Sequence, residues 1–208
     1  MRKLLKKLHL RHWIQRKNED TLTPQSGTKL FFVELVKLGL FAVITIVLVR
    51  YFLFKPFYVR GASMEPNFFD KEYLIIDEIT FRLREPQRGE IIVFHYPGNR
   101  SEYFLKRIIG LPGERIKIKD NEVMIYNNEH PEGLTLAEAY LPPGLPSRPD
   151  VSYTLGSSQV FVLGDNRNSS FDSRFFGPIE KKDIVGRVVL RGYPFNRVKV
   201  FSPPAYEE

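Results

Sequence analysis

The sequence predicts a mainly β protein, with a single N-terminal transmembrane helix followed by a domain of antiparallel β-sheet. Three observations support this prediction. One apolar stretch near the N-terminus is long enough to cross a bilayer. The chain beyond it contains short runs of β-branched and aromatic residues, separated by turn residues. Strand and helix patterns do not alternate there, as they would in a parallel sheet.

The apolar stretch covers the twenty residues 35–54. Its uninterrupted core, Leu38–Val49, has twelve residues, and a membrane span needs ~20. Lys37 and Arg50 extend it to full length, because long basic side chains near the ends of a span can reach the headgroups. Pro56 is predicted to stop the helix. The alternative, a buried core helix, is less compatible with so basic a flank.

The net charge of +7 is concentrated at the N-terminus. Residues 1–55 contain 11 Lys+Arg and 3 Asp+Glu, a net charge of +8, whereas residues 56–208 contain 20 and 21, a net charge of −1. A nucleic-acid-binding protein would carry a basic face on its folded domain, so we expect no nucleic-acid partner. A basic flank beside an apolar run indicates a membrane surface instead.

The positive-inside rule then places the N-terminus in the cytoplasm. We expect a cytoplasmic basic tail (1–34), a transmembrane anchor (35–55) and an extracytoplasmic β-rich domain (56–208). Residues 3–17 fit a basic interfacial helix and a disordered tail equally well. The chain has no cysteine, which excludes disulfides, thiolate metal sites and a cysteine nucleophile.

Seven strands are predicted in the domain. They are Tyr73–Ile79, Glu90–Tyr96, Tyr103–Ile109, Arg115–Lys119, Glu122–Tyr126, Gln159–Leu163 and Ile184–Arg191. In the fourth and fifth strands apolar and polar residues alternate, and Asp120-Asn121 lies between them, a pattern typical of a hairpin. Residues 129–158 contain five prolines and three glycines, and they are predicted to form a long loop or excursion.

Few residues in the domain could act as a catalytic base. Its histidines are His95 and His130, and neither setting favours a Ser-His-Asp triad. No closely spaced pair of metal ligands such as HExxH is present, so we expect neither metal nor cofactor. Lys106 lies in an apolar strand, where burial could lower its pKa by up to ~3–5 units and free its amine to act as a base. A strand lysine that points to solvent is the alternative, and this segment alone favours it.

Four segments after the apolar stretch carry a family resemblance. They are Ser63-Met64-Glu65-Pro66, Arg88–Phe94, Lys106–Glu114 and Gly164–Arg174. In this order, after one N-terminal span, they resemble the type I signal peptidases, serine–lysine proteases that remove signal peptides from exported proteins. The resemblance covers roughly residues 35–190 and leaves out the tail and the excursion. It implies a catalytic domain of coiled or barrel-like antiparallel sheets.

The resemblance also implies roles for individual residues. Ser63 corresponds to the nucleophile, Lys106 to the general base and Ser170 to a hydroxyl that forms a hydrogen bond with the lysine and orients it. Gly61 stands where some members have a serine that donates to the oxyanion, so the backbone N–H groups of Ser63 and Gly61 are expected to do so here. Such donors contribute roughly 3–4 kcal/mol each. Four further residues correspond to a supporting charged frame: Arg107, Asp165, Asp172 and Arg174.

Family members cleave after small residues, as in Ala-x-Ala, and this selectivity implies shallow apolar pockets. An extended substrate would add as a strand near Phe57–Gly61 and Tyr103–Leu105. The residues expected to bind substrate are Phe57, Val59, Met64, Leu74, Val93, Tyr103, Phe104 and Leu105.

The expected partners are signal peptides of exported preproteins and the lipid bilayer, with the protein export machinery as a further candidate. The expected location is a cell or thylakoid membrane, crossed once. Five aromatic residues could form an apolar rim that enters the lipid or could be ordinary core residues: Phe52, Phe54, Phe57, Phe68 and Phe69.

Two other functions are compatible with part of the pattern. A self-cleaving repressor-type protease also uses serine and lysine, but it is cytoplasmic, and the apolar span argues against it. An inactive membrane-anchored module that binds exported peptides is the alternative outside the enzymes.

Overall fold

The computed structural model describes residues 24–52 and 54–203. The chain divides into two compact units between Val49 and Arg50. The first contains most of a long apolar helix, and the second consists mainly of antiparallel β-sheet. The predicted fold class is therefore confirmed.

The helix, α1, covers Pro24–Phe52. Its segment Gly27–Val47 is long and apolar enough to cross a membrane, with a mean hydropathy of 2.4, and none of the tested window is buried. This exposure does not fit a core helix. The segment begins earlier than the predicted span at residue 35, and it accommodates Glu34 and Lys37, which form an ion pair at 3.5 Å one helical turn apart. The predicted division at residues 34 and 55 stays a prediction, and residues 1–23 lie outside the described part of the chain.

Within residues 54–203, the second unit contains twelve strands, two short α-helices and three 3₁₀ helices, the last at Arg167–Ser169, Lys181–Asp183 and Phe195–Arg197. The strands are β1 (Phe54–Tyr58), β2 (Tyr73–Asp77), β3 (Ile91–Tyr96), β4 (Asn99–Gly110), β5 (Arg115–Lys119), β6 (Glu122–Tyr126), β7 (Leu134–Thr135), β8 (Val151–Thr154), β9 (Gln159–Leu163), β10 (Ile179–Glu180), β11 (Ile184–Tyr193) and β12 (Lys199–Val200). The α-helices are α2 (Thr80–Leu83) and α3 (Ser173–Phe176).

All strand pairs are antiparallel and form two sheets. The large sheet has the order β1-β2-β11-β3-β4-β9-β10, with β12 paired to β11, and the small sheet has the order β7-β6-β5-β8. Strand β3 lies inside the large sheet and is buried on both faces, which explains its continuous apolar sequence. Ile91 and Val93 pack in one core cluster with Met64, whereas Ile92 and Phe94 pack in another. This central position of β3 fixes its neighbour β4, which carries Lys106.

The local structure confirms several predicted elements and corrects others. The hairpin turn is formed by Asp120 and Asn121 with φ of 53° and 71°, as a type I′ turn requires. The strand predicted over Tyr73–Ile79 ends at Asp77, because the Asp77 carboxylate accepts the Ile79 and Thr80 N–H groups and redirects the chain into α2. The excursion is not wholly irregular, since it contains β7 and β8.

Strand β1 was not predicted, because Pro56 indicated only a helix stop. Helix α1 ends at Phe52, and Pro56 lies within β1. A proline cannot donate to a strand ladder, but β1 is at the edge of the sheet and pairs only with β2 among the described strands.

The predicted aromatic rim is wrong for Phe68. Its side chain is fully buried and packs against Phe201, with ring centroids 4.7 Å apart and the rings tilted by 30°. Phe57 is half-buried, and Phe69 is 37% exposed. The side chains of Phe52 and Phe54 lie outside the described part of the structure. Phe68 is therefore an ordinary core aromatic, as the alternative interpretation held.

Candidate active site

Ser63 lies in a loop, residues 61–70, that follows β1 and is called the serine loop below. The loop begins at Gly61 with φ of 85°, a left-handed conformation that favours glycine. Asn166 holds the loop by its main chain, since its backbone N–H donates to the Ser63 carbonyl and its side-chain amide to the Ala62 carbonyl, both at 3.0 Å. The serine is thus fixed through its own backbone.

Lys106 comes from the middle of β4, where it pairs with Ile92 of β3. Only 4% of the residue is exposed. Its Nζ lies 2.8 Å from Ser63 Oγ and 3.0 Å from the Leu105 carbonyl oxygen. The fold therefore brings together two side chains that are 43 positions apart in the sequence.

Burial lowers the pKa of Lys106 to about 8, because the ammonium form loses its hydration. The negative charges of Asp172 and Asp165 act in the opposite direction, whereas Arg174 lowers the pKa further. The neutral form of the amine is therefore far more populated near physiological pH than it is in an ordinary lysine. A neutral amine in contact with a hydroxyl can accept its proton.

The four residues of the predicted charged frame form two buried ion pairs. Arg107 contacts Asp165 through two hydrogen bonds of 2.8 and 2.6 Å, and Arg174 contacts Asp172 through two of 2.8 and 2.7 Å. Asp172 also accepts the backbone N–H of Gly164 at 3.0 Å. Paired in this way, the four charges brace the loop that begins at Gly164.

Ser170 is buried beside this loop, but the predicted hydrogen bond to Lys106 is not formed. Its Oγ has no hydrogen-bond partner among the described residues. A Cβ added at Gly164 would lie 2.1 Å from Ser170 Oγ and 2.5 Å from the Ser63 carbonyl oxygen. Only a glycine at position 164 lets the serine loop and Ser170 approach this closely.

The geometry also corrects the predicted pair of oxyanion donors. The Gly61 N–H donates to Asp70 Oδ1 at 2.9 Å and is therefore engaged within the serine loop. The Ser63 N–H makes no hydrogen bond to any described residue. Of the two predicted donors, the structure leaves only Ser63 available.

A cleft of about 690 Å³ opens beside Ser63 and Lys106. All eight residues predicted to bind substrate line it: Phe57, Val59, Met64, Leu74, Val93, Tyr103, Phe104 and Leu105. Strand β1 pairs only with β2, and the part of β4 before Lys106 pairs only with β3, within the described strands. The cleft is therefore bordered by two strand edges that pair with no further described strand.

Sequence reasoning gave no role to Asn67, Asn166, Arg167 or Glu138. Asn67 donates to Asp165 Oδ2 at 2.9 Å and to the Tyr140 carbonyl at 3.0 Å, which ties the serine loop to the frame. Asn166 and Arg167 lie within the fourth matching segment, so their position was a usable signal. Nothing around Glu138 in the sequence indicates its ion pair with Arg167.

Comparison with known proteins gives consistent matches. The family model for signal peptidase, peptidase S26, matches residues 32–193. A probable signal peptidase I-2 from Synechocystis is 35% identical over 197 residues, which cover 91% of this chain and 86% of that protein. The signal peptidase I of Leptolyngbya laminosa is 36% identical over 168 residues, covering 75% and 77%. A crystal structure of a signal peptidase I from Enterococcus faecalis is 32% identical and covers 50% of this chain and 97% of its own, with a TM-score of 0.42.

Proposed function

Because the chain belongs to the signal peptidase family, peptidase S26, we propose that it is a membrane-anchored serine endopeptidase that removes N-terminal signal peptides from exported preproteins. Ser63 is the nucleophile and Lys106 the general base. The observation that carries this proposal is the 2.8 Å contact between the buried Lys106 amine and the Ser63 hydroxyl.

Acylation begins when the neutral Lys106 amine accepts the Ser63 proton and Ser63 Oγ attacks the scissile carbonyl carbon. The tetrahedral intermediate collapses as the C–N bond breaks. The Lys106 ammonium then gives its proton to the leaving amine of the mature protein. The signal peptide is left as an ester on Ser63.

Deacylation uses Lys106 as the base a second time. Lys106 takes a proton from a water molecule, whose oxygen attacks the ester carbon. The C–O bond to Ser63 Oγ then breaks, the Lys106 ammonium returns its proton to Oγ, and the signal peptide leaves as an acid that ionises to a carboxylate. The Ser63 N–H is the donor available to the oxyanion in both steps.

The substrate binds as an added strand between the free edges of β1 and β4. Backbone hydrogen bonds hold the peptide extended, and its alternate side chains enter the apolar cleft. We infer that the residues one and three positions before the cut face the apolar walls that contain Val59, Leu74, Val93 and Leu105. In members of the family these two positions carry small side chains. Cleavage after Ala-x-Ala is the expected specificity.

The apolar segment of α1 fits a membrane anchor. Since a signal peptide is cut at the bilayer surface, an enzyme tethered there meets its substrate at a raised effective concentration. We place the N-terminus in the cytoplasm and the β domain on the outer side of a cell or thylakoid membrane. Contact with lipid and with the export machinery belongs to the same proposal.

Processing of a preprotein by the membrane-bound chain tests the proposal. The wild type is compared with Ser63→Ala, which lacks the nucleophile, and with Lys106→Met, which keeps most of the side-chain length without the base. Both variants should lose all measurable processing. Lys106→Arg should be equally inactive, because a guanidinium stays protonated at ordinary pH.

Matched controls change exposed residues of the same types. Ser152→Ala and Lys119→Met should process preprotein at the wild-type rate, since both positions are exposed outside the cleft. Equal processing by the wild type, Ser63→Ala and Lys106→Met would remove the dyad from the mechanism. No processing by any of them, with retained peptide binding, would favour the inactive binding module.

A further inference from the structure

The excursion, residues 129–158, is bound tightly to the loop that follows β9. The Glu138 carboxylate lies against the Arg167 guanidinium, with Nη1 2.7 Å from Oε2 and Nη2 in contact with Oε1. Ser147 Oγ accepts a second hydrogen bond from Arg167 Nη1 at 2.6 Å. Two points of the excursion therefore converge on one guanidinium.

This guanidinium is almost completely removed from water. The Arg167 side chain is 1% exposed and that of Glu138 is 15% exposed. Burial by itself would lower the pKa of Arg167, but the hydrogen bond and the negative charge of Glu138 outweigh it and raise the pKa. The charge on Arg167 thus depends on Glu138 for its compensation.

Arg167 also connects Glu138 to the loop that holds Ser63. Its Nε donates to the Gly164 carbonyl at 3.0 Å, which closes the loop between residues 164 and 167. Inside that loop, Asn166 donates to the Ser63 and Ala62 carbonyls. Glu138 is therefore linked to the backbone of Ser63 by its ion pair with Arg167 and by the hydrogen bond from the neighbouring Asn166.

The excursion has a second attachment beside the site. The Tyr140 carbonyl accepts a hydrogen bond from Asn67 of the serine loop at 3.0 Å, and the Tyr140 ring lies 3.9 Å from the guanidinium of Arg107, next to Lys106. The excursion thus contacts both chain segments that supply the dyad. It does not line the cleft.

We propose that Glu138 is a positioning residue, which sets the distance between Ser63 and Lys106 by holding Arg167 and, through it, Asn166. The inference rests on the proposed function, since its readout is cleavage. Without Glu138 the buried Arg167 charge loses its main partner, and the loop must shift to hydrate it. Displacement of a reacting group by about 1 Å can cost roughly a hundredfold in rate.

The test uses the full-length membrane-bound chain and one preprotein. Glu138→Gln keeps the shape of the side chain and removes its charge, and Glu138→Asp keeps the charge on a shorter side chain. Glu129→Gln, at an exposed position in the same excursion, is the matched control. For each variant kcat, KM and the pH dependence of kcat/KM are measured, with circular dichroism to confirm folding.

Glu138→Gln should lower kcat by about 10- to 100-fold, with KM changed by less than about twofold because the cleft walls are untouched. Glu138→Asp should recover part of kcat. The acid limb of the pH profile should move to higher pH in Glu138→Gln, because a serine loop displaced from Lys106 admits water to its amine. A merely structural residue would not move that limb.

A folded Glu138→Gln enzyme with wild-type kcat and pH profile would overturn the inference, as would an equal loss in Glu129→Gln. If Glu138→Gln does not fold, Ser147→Ala is measured in its place. It should change kcat and the acid limb in the same directions but by a smaller amount. A wild-type kcat and pH profile in Ser147→Ala would likewise overturn the inference. Failure of the wild type to cleave would count against the proposed function instead, and the two failures are thus distinguishable.

Discussion

At the scale of single residues, Lys106 places an amine in a buried part of the protein, where a charged amine is normally unfavourable. An amine is usually hydrated and charged, but this one is 4% exposed, inside a strand, and in contact with a hydroxyl. Burial lowers its pKa to about 8 from the ordinary 10.5. The protein thereby obtains a base near neutral pH from a residue that is otherwise an acid there.

The pH dependence of cleavage follows from this shift. Below about pH 8 the Lys106 amine is increasingly protonated and cannot accept the Ser63 proton. We expect kcat/KM to fall about tenfold for each pH unit below that value and to level off above it. Initial rates with one preprotein between pH 5 and pH 10 provide the measurement. An acid limb centred below pH 6 would indicate a carboxylate or histidine as the base.

The same residue scale shows what local sequence could and could not predict. Ser63 and Lys106 stand in segments that match the family, and their roles follow from that resemblance, because the segment around Lys106 by itself favours a lysine that points to solvent. The Gly61–Asp70 bond and the unpartnered Ser170 hydroxyl depend on how a loop closes, which no short pattern encodes. Glu138 meets Arg167 across 29 positions of sequence, within an excursion whose prolines and glycines indicate only irregular backbone.

At the scale of elements, prediction succeeded where a strand was long and half or fully buried. Alternation or continuous apolar sequence identified β3, β5, β6 and β9, because burial imposes a period on five or more residues. Strands β7 and β10 have two residues each, too few to show any period. Strand β1 contains Pro56, which is tolerated there only because the strand lies at the edge of the sheet. The position of a strand within a sheet is set by the tertiary structure and cannot be read from a local pattern.

The loop after β9 gives a prediction at this scale. Gly164→Ala would place a methyl group 2.5 Å from the Ser63 carbonyl oxygen and 2.1 Å from Ser170 Oγ. The serine loop must then move away, so we expect at least a hundredfold loss of cleavage and a loss of about 1–3 kcal/mol in the free energy of unfolding. Thermal unfolding and cleavage rates in the same preparation provide the measurement.

The control for this variant is Gly192→Ala in β11, where an added Cβ would meet nothing within 4 Å. That variant should keep wild-type activity and stability. Wild-type cleavage by Gly164→Ala would mean that close approach at this glycine does not position Ser63.

At the scale of the whole molecule, the orientation in the membrane is open to direct measurement. The chain has no cysteine, so single cysteines report their side of the bilayer without background. A membrane-impermeant maleimide applied to intact cells should label Ser157→Cys, an exposed position in the β domain, and should not label Asn18→Cys. The opposite labelling pattern would invert the orientation derived from the basic N-terminal segment.

The unpaired edges of β1 and β4 affect how many different substrates the enzyme can accept. A main chain offers the same donors and acceptors whatever its side chains are, so a partner held in this way is accepted for its shape and not for its identity. Only the few positions that face the cleft walls need be restricted. On the proposed binding mode, we therefore expect one such cleft to accept many unrelated preproteins, and its inhibitors can be sought among short, rigidly extended peptide mimics.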